Sequence, residues 1–202
     1  LPIYVVSEVG GKFGTQAVYM YEPDDSSSKD YAERLRRDFY QTSTELYTEN
    51  CLEVLQKWLS EKHMKLRAEN SYGQSLEISQ PIKALDYVET ESLEFANELD
   101  MYRGQSGAAH LFDKRYSSET GALLAKNYIN NIGYFRQMFY MQYASGIQKT
   151  VTHGYSSEYG PAERVKWPGY EGMWDMFAER FNKRQPGSID SPEMNAHLSR
   201  RS

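Results

Sequence analysis

Apolar residues recur every three or four positions in two long stretches, and between them gather in short extended runs. From Ser28 onward, Tyr31, Leu35, Phe39, Thr42 and Leu46 fall on one helical face, and Leu52, Leu55, Trp58 and Leu59 continue the stripe. Asn50 interrupts it, so the pattern predicts one long helix or two in succession, capped by Ser28 and closed at Lys62-His63. A second amphipathic helix is expected over residues 122–143, with Leu124, Tyr128, Ile132, Phe135 and Phe139 on one stripe and Gly146 as its stop. Shorter helical stretches are expected over 104–111 and near 173–181.

Four short β segments lie among these helices, at 64–70, 84–89, 114–118 and 148–152, and two further β-like runs, 3–6 and 17–20, precede them. Strands that alternate with helices predict parallel β/α units. Polar residues mark the end of each segment: Arg67, Glu69 and Tyr72; Glu89 and Glu91; Ser117, Ser118 and Glu119; His153 and Tyr155. In β/α barrels the chemistry sits on the loops that follow the strands, and a complete barrel takes eight strands and about 250 residues. Four or five units form either an open α/β sheet or part of a barrel.

Composition narrows the picture only slightly. The chain has 202 residues, 40% of them hydrophobic and 25% charged, which is ordinary for a globular domain. The net charge of −5 reads against duplex nucleic acid as a partner. No apolar run reaches the roughly 20 residues of a membrane helix, and no secretory leader pattern opens the chain, which begins at Leu1 without Met. The single cysteine, Cys51, lies in the helical pattern and reads as a buried, inert thiol. Seventeen Tyr stand beside eight Phe and three Trp. Tyr suits sugar rings, with its flat apolar face and polar tip, and equally suits core filling.

Carboxylates collected at strand ends have three common uses: an acid and base pair for glycosides, a divalent cation site, or a set of acceptors for substrate hydroxyls. Brought together, they repel unless a cation, a proton or a ligand compensates. The chain has no glycine-rich phosphate loop, no His-Glu-x-x-His and no Gly-x-Ser-x-Gly. Of four histidines only His153, before Gly154 at a strand end, is placed for function; His63, His110 and His197 read as structural or as part of the tail.

Several segments, taken in order, resemble the C-terminal half of the catalytic barrel of glycoside hydrolase family 106, the α-L-rhamnosidases. They are Arg67-Ala68-Glu69 with Tyr72-Gly73, Val88-Glu89-Thr90-Glu91-Ser92, Ser106-Gly107-Ala108-Ala109-His110, Ser117-Ser118-Glu119, His153-Gly154-Tyr155, Trp167-Pro168-Gly169 and Arg184-Gln185-Pro186. Two departures are Glu69, where that family often has Gln, and Val88, where it has Pro. The resemblance implies a partial (β/α)8 barrel of about four to five units, truncated on its N-terminal side, with residues 1–187 as the half-barrel and 188–202 as a polar tail.

It further implies inverting hydrolysis of terminal α-L-rhamnose, with Glu119 as general base and the general acid upstream of Leu1-Pro2, so that the fragment alone is inactive. Glu69, Tyr72, Glu89, Glu91, His153, Tyr155 and Trp167 become substrate contacts, with core packing equally open for Trp167. Calcium becomes the cofactor, with Glu91 as its ligand. The implied partners are a rhamnose-containing oligosaccharide, polysaccharide or glycoside and the other half of the barrel, with neither nucleic acid nor membrane, and the parent would be secreted or periplasmic. A carbohydrate-binding barrel without catalysis, and an unrelated metal-dependent α/β protein using Glu89, Glu91 and Glu119, are the alternatives.

Overall fold

The computed structural model describes residues 6–11, 14–19, 24–70, 76–93, 95, 98–122, 131–154 and 188–200. Two strands, β1 (Val6–Gly11) and β2 (Gly14–Tyr19), pair antiparallel, with Val6 opposite Tyr19 and Gly11 opposite Gly14. A long helical run follows: α1 (Ser26–Tyr47), one π-helical turn (Thr48–Leu52) and α2 (Glu53–Glu61). The remaining elements are β3 (Arg67–Glu69), a 3₁₀ turn (Gln80–Ala84), β4 (Tyr87–Glu91), α3 (Leu99–Leu111), β5 (Arg115–Thr120), α4 (Ile132–Ala144), β6 (Lys149–Thr152) and α5 (Ser191–Leu198). Strands β3 to β6 form one parallel four-stranded sheet in chain order. The α/β class expected from the alternation of segments therefore stands.

The chain divides into two compact units, Leu1–Val88 with Ala108–Lys114 and Glu89–Gly107 with Arg115–Ser202. In the first, Asp25 rather than Ser28 caps α1: its carboxylate accepts the Ser28 N–H at 2.8 Å, and that bond draws the Asp25 carboxyl down to about 2. The expected break at Asn50 is the π turn, whose Asn50 Nδ2 donates to the Leu46 carbonyl. Cys51 is exposed and not buried as expected; the turn directs its neighbour Leu52 inward instead. His63 takes a positive φ of 58° just after α2 and closes the run. The third strand is shorter than the apolar run suggested. The connection toward β4 is tied instead at Leu66, whose N–H donates to Asp86 and whose carbonyl accepts from the Asp86 and Tyr87 N–H groups. Pro81 starts a 3₁₀ turn through Ala84, so β4 begins later than the sequence suggested.

In the second unit, α4 packs through Phe135 and Phe139 against Met194 and Leu198 of α5, with Ile132 and Tyr143 at the margin. Within residues 188–202, expected as a polar tail, 191–198 form a helix that buries Met194 and Leu198. Tyr116 on β5 is buried and donates its hydroxyl to Gln105 Oε1 of α3 at 2.9 Å. The expected short helix near 173–181 and the first turns of the 122–143 helix lie outside the described residues, as do Tyr72, Tyr155 and Trp167. Among the described residues no helix is long and apolar enough to cross a membrane.

Phe139 has no exposed surface and sits at the centre of the α4–α5 contact. Removing its ring leaves a cavity as well as lost transfer energy. Phe139→Ala is expected to lower unfolding free energy by about 3–5 kcal/mol, read as a fall in the urea midpoint. A midpoint within error of wild type would mean that α5 is not docked on α4 in solution.

Candidate functional site: the ends of β4, β5 and β6

The second unit brings together three of the residues singled out from the sequence. Glu91 ends β4, Glu119 is the penultimate residue of β5, and His153 directly follows β6. The parallel register of β5 and β6 sets Glu119 beside Val151 and Thr120 beside Thr152. The His153 N–H then donates to the Thr120 carbonyl at 2.8 Å. That bond fixes the backbone of His153, and its ring lies with Nδ1 2.5 Å from Glu119 Oε1.

The His153 side chain keeps only 11% of its exposure, while the Glu119 carboxylate, at 35%, still reaches solvent. The hydrogen bond to Glu119 raises the imidazole above its usual 6.5; burial opposes this, and the negative charges of Glu119 and Glu91 reinforce it. In its protonated form the ring donates through Nδ1 to Glu119. Nε2 is buried and makes no hydrogen bond among the described residues.

Residues that the strand-end pattern did not single out complete the network. The Ser92 N–H donates to the Glu119 carbonyl at 3.0 Å, which joins the end of β4 to β5. Ser92 Oγ accepts the Gly121 N–H at 3.1 Å and donates to the Ala122 carbonyl. Gly121 has φ +114°, and a Cβ there would stand 2.8 Å from the His153 carbonyl oxygen. Only glycine combines that backbone with so close an approach. Thr120 Oγ1 donates to Gln142 Oε1 of α4 at 2.7 Å, which anchors the end of β5 to the helix behind it. The sequence signal available for this set was the run of small polar residues, Ser92 after Glu91 and Thr120-Gly121 after Glu119.

Glu89 is buried on β4, and Glu69 is half-buried at the end of β3 in the first unit. Glu91 and Glu119 are oxygen ligands of the class that calcium takes. Glu119 is already held by His153.

The structural role of the pair has a pH signature. A group whose folded pKa is raised contributes stability that is complete below its unfolded value and is lost as pH rises through the folded value. For His153 the window opens at 6.5 and extends upward. The difference in unfolding free energy between wild type and His153→Gln should therefore shrink as pH rises through that window, measured by urea unfolding across a pH series. A difference that grows with pH would show that the ring is not held as an imidazolium.

No family model matches the chain, and no solved structure matches it. Two curated proteins are similar to it, the mating-type protein ALPHA1 and the silenced mating-type protein ALPHA1 of Saccharomyces cerevisiae (strain ATCC 204508 / S288c). Each is 27% identical over 134 residues, 66% of this chain and 71% of the relative. This similarity overturns the resemblance to the α-L-rhamnosidases, and with it the readings as hydrolase, glycosidase and enzyme of polysaccharide degradation. The rhamnose-containing glycan as partner and the exclusion of nucleic acid fall as well. The physical reason is local. The quoted motifs are runs of a few polar and small residues at strand ends, and here Ser92, Glu119, Gly121 and His153 of those runs close hydrogen bonds between neighbouring strands. The roles of general base and sugar contact given to Glu119 and its neighbours came with the resemblance.

Proposed function

We propose that this chain is a mating-type regulatory protein that acts by binding a macromolecular partner, DNA or protein, without catalysing a reaction. The observation that carries this reading is the alignment over 134 residues with the two ALPHA1 proteins, which takes in 71% of each relative. A protein that specifies mating type must change what other gene products do, so it works through contacts. The site described above supports the reading from the chemical side. A hydrogen bond from a neighbouring ring weakens a carboxylate as a general base, and Glu119 Oε1 is held by the His153 ring. The consecutive parallel order β3-β4-β5-β6 also supports taking the sheet as one arc of a larger barrel.

Complementation tests the reading directly. The chain expressed in a Saccharomyces cerevisiae strain lacking ALPHA1 is expected to restore mating in part. Mobility-shift titrations with duplex DNA over a salt series then separate the two partner classes, since phosphate contacts make affinity fall steeply with salt. Stable expression with no mating, together with turnover of an aryl α-L-rhamnoside by the purified chain, would overturn the proposal.

A further inference from the structure

The run α1–π turn–α2 leaves several of its large apolar residues exposed. Toward the protein it buries Ala32, Arg36, Thr44 and Leu52, while Phe39 (43% exposed), Leu46 (55%), Val54 (59%) and Trp58 (53%) face solvent. Contiguous exposed apolar residues mark sites of interaction. The spacing shows that these four form one line. Seven residues separate Phe39 from Leu46, a step that keeps an α-helix in phase within about 20°. Eight separate Leu46 from Val54, which in a regular helix would rotate Val54 by about 80°. The π turn at Thr48–Leu52 lies within that interval, and its wider turn absorbs the additional residue. Val54 and Trp58 thereby return to the line of Phe39 and Leu46, and the stripe extends over about 28 Å.

A second row runs beside it with the same spacing. Asp38, Glu45 and Glu53 each immediately precede a stripe residue, and all three are exposed. Lys57, before Trp58, is the exception in the row. We infer that this face is a docking surface for an amphipathic helix of a partner protein, one whose own apolar stripe is flanked by Lys or Arg. An apolar stripe with one charged row is how a helix selects a helix of opposite charge. The acidic row disfavours the other occupants: a second copy would bring like charges together, and DNA phosphates and anionic lipid would be repelled. The inference deepens the reading as a regulator by naming the chemistry of its partner. It rests on that reading for biological meaning only, because the face is read from the helix itself.

The test uses the whole chain and two fluorescein-labelled synthetic helices of about 24 residues, with Leu at heptad positions a and d, and Lys or Glu at e and g. Fluorescence anisotropy should show the Lys peptide binding at least about tenfold more tightly than the Glu peptide. Leu46→Asp should weaken the Lys peptide, and Glu45→Lys with Glu53→Lys should reverse the preference. These positions are exposed, and far-ultraviolet circular dichroism will report whether the helix is intact. Failure of the Lys peptide to bind, an unchanged preference after charge reversal, or a dimer in sedimentation that Leu46→Asp dissolves would each overturn the inference. Mating restored without peptide binding removes this face alone; reversal of the preference without any mating removes the mating-type reading and leaves the face.

Discussion

Carboxylates gathered at neighbouring strand ends need a group that takes up their charge, and the second unit is arranged around that requirement. The ring of His153 meets Glu119, and Glu91 adds its field from the neighbouring strand. For His153 to reach Glu119, β6 must end level with β5, which the Thr120–Thr152 register and the His153 N–H to Thr120 carbonyl bond provide. The close approach of the His153 carbonyl leaves no room for a side chain at Gly121. Ser92 can then serve three partners, the Glu119 carbonyl, the Gly121 N–H and the Ala122 carbonyl, because the chain turns so tightly there. One electrostatic demand thus determines a register, a glycine and a bridging serine.

The first unit follows a different logic. Helices normally bury their apolar stripe and gain about 25 cal/mol for each Å² removed from water. Here α1 buries Arg36 and Thr44 beside Ala32. Thr44 is accommodated because its hydroxyl donates to the Tyr40 carbonyl and accepts the Glu77 N–H, so a polar side chain is satisfied inside the fold. The apolar surface left outside gains nothing in the isolated chain. It becomes favourable only when something covers it, which is why burial and exposure on this helix carry more functional information than its helicity does.

Much of the secondary structure was legible because it depends on short-range periodicity. The three-and-four spacing from Tyr31 to Leu59 identified the helical run, and the extended runs before Glu91, Glu119 and His153 identified β4, β5 and β6. What failed depended on partners distant in sequence. The same spacing gave no sign that the apolar face points outward, since periodicity defines a stripe and not what lies against it. Cys51 was expected to be buried because free cysteines usually are, yet it stands exposed in the π turn beside the buried Leu52. Residues 188–202 read as polar because Met194 and Leu198 are isolated among polar neighbours, and their value as a core comes from Phe135 and Phe139 more than 50 positions earlier.

The candidate site shows why function was harder to read than fold. Strand ends in parallel sheets collect polar and small residues for two independent reasons, to close the turn that follows and to bind a ligand. Glu119 and His153 satisfy either reason in sequence. What separates them is whether the charged groups are directed to a reactant or to each other. In this structure Nδ1 of His153 is committed to Glu119, the backbone of His153 to Thr120, and the hydroxyl of Thr120 to Gln142. A carboxylate that accepts a hydrogen bond from a ring nitrogen is a weaker proton acceptor, because taking up a proton would cost it that bond. The same contact that offsets the charge of the carboxylates therefore also weakens Glu119 as a proton acceptor.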